Sequence, residues 1–195
     1  MVHLKALFFG LSILGSLVYG QIDVPLEAVG PVVGAQTLNG QSFLFYQDCC
    51  TGDIVMRAVS NGFTVPASTT NGFSAVVPGS QVLWGTPIAV AQRASQPNEM
   101  GELGLYFFSQ NRTLNEYRYT QNTVPPWNGG PTCETCIDKQ NYVVEQNSNI
   151  LYAMGSVSGN AKVGVRVGFI SADHPDTLSE ANRAAGVWSL ATMPL

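Results

Sequence analysis

A set of short strands recurs three times along this chain, about every 60 residues, as repeat architectures do. No single motif constrains the fold as strongly. The first copy reads as strands over Val32 to Thr37, Ser42 to Asp48 and Ile54 to Val59, with Asn39-Gly40 as the hairpin signal, Phe63 closing the ladder and Ser74 to Val77 as a further strand. The second copy has Thr86 to Gln92, Gly104 to Ser109, Leu114 to Thr120 and then Trp127. The third has Ile150 to Ser156, Val163 to Ile170 and Leu178 to Arg183, followed by Trp188 and a last strand over Ser189 to Met193. Aligned on their second strands, the copies set Phe43, Leu105 and Arg166 in register. Their third strands align Met56, Glu116 and Glu180, and their aromatics align Phe63, Trp127 and Trp188.

A repeat of this size holding four short strands predicts a propeller blade. The expected fold is all-β and β-propeller-like, with about three four-stranded blades over residues 31–80, 81–145 and 146–195. Each blade buries its core only against a neighbour. Three blades do not close a ring, which points to a homodimer of six blades about a two-fold axis. The alternative is a fourth, degenerate blade built from Gln21 to Gly30 and the segment from Pro125 to Val144.

Composition agrees with a compact, turn-rich β protein. Charged residues make up 11% and hydrophobic ones 45%, with 20 Gly and 11 Pro. The formal charge of −4 and the lack of a Lys/Arg cluster exclude nucleic acid and anionic membranes as natural partners. Residues 1–20 have the form of a secretory leader: a weakly basic head (His3, Lys5), an uncharged apolar run and a small-residue cleavage site at Val18-Tyr19-Gly20. That run is too short to span a membrane. The expected product is a secreted, extracellular single domain over residues 21–195.

The third copy carries the most chemistry. Val165, Val167 and Phe169 alternate with Arg166 and Gly168, so the apolar set faces a core and Arg166 faces away. His174-Pro175-Asp176 supplies a turn, and Leu178, Glu180 and Asn182 share a face of the return strand. Arg166 and Glu180 can therefore meet. A cation, a carboxylate and an aromatic plate suit a sugar, whose hydroxyls need polar partners and whose C–H face needs an apolar wall. An exposed cross-strand ion pair above a core Trp would leave the same pattern.

The runs F-L-F-Y-Q-D (Phe43 to Asp48), G-T-P-I-A-V-A-Q (Gly85 to Gln92), L-Y-F-F-S-Q-N-R-T-L-N-E-Y-R-Y (Leu105 to Tyr119) and V-R-V-G-F-I-S with L-S-E-A (Val165 to Ala181) resemble the repeats of the fungal fucose-specific lectin family. The resemblance implies six-bladed propellers that bind L-fucose between blades. It also implies an Arg on the second strand, a Glu on the third and a Trp or Tyr from the next blade. Carried over by position, the third copy keeps Arg166 and Glu180, with Phe63 of a second chain as the implied wall. The second keeps Glu116, with Trp188 opposite, but has Leu105 at the Arg position. The first has Phe43 and Met56 in place of both ligands, with Trp127 opposite. The implied function is a secreted carbohydrate-binding protein with at most one or two intact sites for fucosylated glycans. The apolar replacements leave a second reading open, an apolar small molecule bound or converted in a repurposed pocket, and a third, a secreted interaction protein without a small ligand.

Four cysteines in a secreted chain allow three pairings. Cys49-Cys50 falls in the turn between the second and third strands of one blade, and Cys133 and Cys136 follow the third strand of the next. On that placement the pairs lie on opposite rims, which favours the local bridges Cys49–Cys50 and Cys133–Cys136. No His lies near either pair, so no metal is expected, and no cofactor motif is present. Asn111-Arg112-Thr113 is an N-glycosylation sequon in a strand-to-strand turn. Catalysis lacks a motif: His174 sits in a turn beside Asp173 and Asp176, and Glu99, Glu102 and Glu145 are scattered.

Overall fold

The computed structural model describes residues 26–36, 40–59, 69–93, 101–120, 123–156 and 164–193, with the backbone alone at 69–73. The leader at 1–20 and Phe63 lie outside the described residues. The described chain is all β, in three four-stranded antiparallel sheets. The first sheet holds β1 (Ala28–Gln36), β2 (Ser42–Asp48), β3 (Ile54–Val59) and β4 (Thr69–Val77). The second holds β5 (Ile88–Arg93), β6 (Glu102–Phe108), β7 (Leu114–Thr120) and β8 (Trp127–Gly129). The third holds β9 (Leu151–Gly155), β10 (Val165–Ile170), β11 (Leu178–Ala184) and β12 (Val187–Met193). Within each sheet the strands follow in chain order, as in a meander. No helix among the described residues is long and apolar enough to cross a membrane.

The sheets stack face on face, and the first strands β1, β5 and β9 run side by side. One core lies between the first two sheets, built from Phe43, Phe45, Ile54, Ile88, Leu103, Leu105 and Phe107. The other lies between the second and third, built from Ala89, Tyr106, Phe108, Leu114, Val167, Phe169 and Trp188. The middle sheet is therefore buried on both sides. This is why β6 reads L-G-L-Y-F-F after Glu102, with no polar alternation: Leu103, Leu105 and Phe107 fill one core, Tyr106 and Phe108 the other. Each fully buried Leu or Phe contributes about 1.5–3 kcal/mol to this stacking.

The segment from Pro125 to Val144 makes no blade of its own. It supplies β8, which pairs with β7 through Trp127 and Tyr119, and then two short 3-10 turns, Gly130–Thr132 and Ile137–Gln140. Because β8 is an extra strand, Cys133 and Cys136 follow a fourth strand. An up-and-down meander then returns them to the rim of the β2–β3 turn, which corrects the expectation of opposite rims. The β11–β12 hairpin turns on Ala185 and Gly186, both with positive φ (50° and 83°), the geometry of a tight primed turn. Ala at its first position makes a weak sequence signal, and the sequence breaks the ladder at Arg183 where the strand runs on to Ala184.

Candidate functional site

The outer face of the third sheet carries the pair that the sequence singles out. Val165, Val167 and Phe169 point into the core, so Arg166 and Gly168 point away from the second sheet. Gly168 pairs with Tyr152 on one side and Glu180 on the other, while Arg166 pairs with Met154 and Asn182. Arg166 and Glu180 are thus diagonal neighbours, and Arg166 Nη1 lies 3.8 Å from Glu180 Oε2. The Arg166 side chain is 64% exposed and that of Glu180 only 8%. Such a pair contributes about 0–1 kcal/mol to stability, which leaves the guanidinium available for other partners.

Tyr152 completes the group. Its ring lies over Gly168, where any Cβ would stand 2.0 Å from a ring carbon, so only glycine fits. Its hydroxyl donates to Glu180 Oε1 at 2.7 Å. Burial, and then the Glu180 carboxylate, push that hydroxyl up to about 12, so it acts as a donor at neutral pH. One oxygen of Glu180 is held by Tyr152 and the other faces Arg166. Guanidinium donors, a carboxylate acceptor and a half-buried ring together can take the hydroxyls and one apolar edge of a sugar. Sequence reasoning missed Tyr152; the glycine facing Glu180 in the ladder was the available signal.

In the second sheet the equivalent group is closed. Glu116 pairs with Tyr106 as Glu180 pairs with Gly168, which makes Gly104 the counterpart of Arg166. The alignment on Leu105 is one residue out. Strand residues alternate faces, so the slip moves the position to the opposite core, and Leu105 is fully buried between the first two sheets. Tyr106 leans over Gly104 and donates to Glu116 Oε1 at 3.1 Å, doing from β6 what Tyr152 does from β9. Glu116 is fully buried; its Oε2 accepts the Ile137 N–H at 3.1 Å, and Arg118 Nε lies 3.7 Å from Oε1. Burial raises its carboxyl, and Arg118 works against that rise. Arg93, Arg118 and Arg183 converge nearby on Glu102. Glu116 is thus taken up by the protein's own groups.

Asp138 belongs to the same cluster: its Oδ2 accepts the Glu116 N–H at 2.9 Å. Burial pushes its carboxyl up to about 6 from the ordinary 3.8. Between those values the folded state binds more protons than the unfolded chain, so this group favours the fold below 3.8 and the contribution is lost as pH rises through 6. Asp138→Asn keeps an acceptor for the Glu116 N–H and removes the charge. Urea unfolding across this window is expected to show a shallower fall in stability than wild type, with the remaining slope from Glu116. An unchanged slope would contradict the assignment.

At the first sheet, Phe45 pairs with Met56, and Phe43 stands where Arg166 does in the third. Phe43, Phe45, Met56 and Trp127 all pack into the first core. Trp127 meets Phe45 edge-on at 6.0 Å and Tyr119 at 5.4 Å, while Trp188 meets Tyr106 at 6.4 Å. Each Trp therefore faces the preceding sheet. The β4 residue that pairs with Val59, as Trp127 pairs with Tyr119 and Trp188 with Arg183, is Thr69.

The Cys133–Cys136 staple is formed, with S–S 2.07 Å and Cα–Cα 5.4 Å. The expected Cys49–Cys50 bridge is not: the sulfurs stand 3.4 Å apart and both cysteines are free. Adjacent Cα atoms across a trans peptide are about 3.8 Å apart, below the spacing disulfides usually take. Asn111 is exposed in the β6–β7 turn. His174, Asp173 and Asp176 are exposed in the β10–β11 turn. Glu99 lies outside the described residues, and Glu145 is half-buried.

Three stacked four-stranded wedges of this kind are propeller blades, and the fold places the chain in the β-propeller class. Solved structures agree. The chain is similar to AofleA from Arthrobotrys oligospora, with TM-score 0.64 and 18% identity over 87% of this chain and 44% of that one. It is similar to the fucose-specific lectin from Aleuria aurantia, with TM-score 0.60 and 18% identity over 87% and 51%. It is also similar to a fucose lectin from Kordia zhangzhouensis in complex with methyl-fucoside, with TM-score 0.51 and 12% identity over 83% of this chain and 97% of that one. The chain thus spans about half the length of the first two. No protein-family model and no curated protein sequence matches it.

Proposed function

We propose that this protein is a secreted lectin for fucosylated glycans, with its working site at Arg166 and Glu180 on the outer face of the third sheet. The observation that carries the reading is the meeting of an exposed guanidinium and a Tyr-held carboxylate on a face that no other sheet covers among the described residues. The sites equivalent to it are filled by Tyr106 in the second sheet and by Phe43 and Met56 in the first. The likeness to fucose lectins, one of them solved with methyl-fucoside, supports the sugar class. The leader pattern and the exposed sequon at Asn111 support secretion. Met154 is 52% exposed and Val187 69% on this same face, which favours its being covered by a second copy that supplies the aromatic wall.

The test is calorimetric titration with methyl-α-L-fucoside, together with the mass in solution. Arg166→Ala is expected to weaken binding by about 10- to 100-fold, the loss of charge-assisted hydrogen bonds. Its Tm should move by no more than about 3 °C, because the ion pair it breaks is solvent-screened. Unchanged affinity in the variant overturns the site. A monomer that binds the sugar at full strength overturns the composite pocket. An apolar ligand is the weaker reading, since Phe43 and Leu105 are occupied in packing the first core.

A further inference from the structure

We propose that Glu27, Cys49 and Cys50 form a binding site for a thiophilic divalent cation of the zinc class. The three side chains flank the paired ends of two strands of the first sheet, β1 and β2. Ala28 pairs with Asp48, so the residue before β1 meets the residues after β2, across a sequence separation of 22. The backbone fastens this meeting, since the Cys49 N–H donates to the Glu27 carbonyl at 3.0 Å. The β2–β3 turn is tied as well. Asp48 Oδ1 accepts the N–H groups of Cys50 and Thr51 at 2.9 and 2.8 Å, and Gly52 N–H returns to the Asp48 carbonyl at 2.9 Å.

Both sulfurs point at one carboxylate oxygen. Glu27 Oε2 lies 3.4 Å from Cys49 Sγ and 3.3 Å from Cys50 Sγ, and the sulfurs are 3.4 Å from each other. A tetrahedral zinc with Zn–S near 2.3 Å and Zn–O near 2.0 Å separates its ligands by about 3.5–3.8 Å, so a few tenths of an ångström of opening admits the ion. Two sulfurs select a soft or borderline cation over calcium or magnesium, which take oxygen ligands. On binding, each thiol gives its proton to solvent; two metal–sulfur bonds and one metal–oxygen bond form, and nothing is oxidised. Three protein ligands leave the fourth position to water. Coordination would also keep this adjacent pair reduced outside the cell, where free thiols otherwise oxidise. Sequence reasoning expects no metal because no His is near, and it cannot see Glu27 arrive from the neighbouring strand.

The test uses the full chain, reduced and freed of metal, titrated with Zn²⁺ by calorimetry and with Cd²⁺ by the ultraviolet thiolate-to-metal charge-transfer band. One ion per chain is expected, bound more tightly as pH rises because protons are released. Cys49→Ser and Cys50→Ser should each weaken binding at least about a hundredfold and Glu27→Gln about tenfold, as ligands matter at least as much as the groups that orient them. These side chains lie at the surface, so an unchanged Tm confirms that the variants fold. No charge-transfer band, a stoichiometry that survives the double serine variant, or a Cys49–Cys50 disulfide in protein purified without reductant would each overturn the proposal.

Discussion

Leu105→Arg is expected to cost the protein its fold, although one alignment of the repeats makes it the change that installs a second sugar site. Leu105 has no exposed surface, pairs with Val90 and Tyr117, and packs in the core with Phe43, Phe45 and Phe107. Removing the Leu side chain costs about 2–5 kcal/mol. Placing a guanidinium there adds several more, because nothing in that core can pair with it. The sum is most of the roughly 5–15 kcal/mol that a domain has in hand. Soluble yield and thermal unfolding by circular dichroism decide the matter. A variant that melts near the wild-type temperature would mean that β6 is registered one residue away from the position described. Gly104→Arg, at the position that does correspond to Arg166, fares no better as a graft, since the Tyr106 hydroxyl already stands 2.5 Å from where its Cβ would be.

Glu102→Ala is expected to destabilise the protein by about 3–5 kcal/mol, the usual loss when one member of a buried ionic cluster is removed. Glu102 Oε1 accepts from Arg183 of β11 at 2.8 Å, and its Oε2 lies 3.0 Å from Arg93 and 3.7 Å from Arg118. Arg183 and Arg118 are nearly buried, with side chains 7% and 10% exposed, so the alanine leaves cations facing one another in the seam between the second and third sheets. Two controls separate this from simple loss of packing. Glu102→Ala combined with Arg183→Met should cost less than the two changes added, since the second removes a charge that the first stranded. The loss should also respond weakly to salt, unlike a surface pair. Urea unfolding measures both, and a loss below about 1 kcal/mol would show that the cluster does not hold the third sheet. Because Arg183 sits on β11 three residues beyond Glu180, loosening this seam should also weaken sugar binding without touching Arg166.

The repeat, the strand order and the outward face of Arg166 were all legible in the residues, because a period of two along a strand and a period of about 60 along the chain are local properties. The pairing of Glu180 with the Arg166 strand was legible too, since a hairpin is short-range. Leu105 was misread because, in a sheet buried on both faces, β6 shows no polar alternation from Leu103 to Phe108, and Glu102 at its first position is the one charged residue on the strand. Tyr106 and Tyr152 support equivalent carboxylates from different strands, a substitution invisible until the strands are laid side by side. Glu27 meeting the two cysteines is of the same kind, as is Glu102 drawing Arg183 across a seam.

The sequence by itself determined that this chain folds into three stacked four-stranded wedges and that one of them bears a cation and a carboxylate together. Only the tertiary structure decided which of the equivalent positions stay open: Tyr106 and Arg118 close over Glu116 from within the second sheet, Trp127 of the adjoining sheet packs against Phe45 at the first, and nothing described covers Arg166. The physical reason is that contacts within a strand pair are set by neighbours in sequence, whereas a seam is filled by side chains as distant as Glu102 and Arg183, 81 residues apart in the chain, whose volumes and charges no local pattern records.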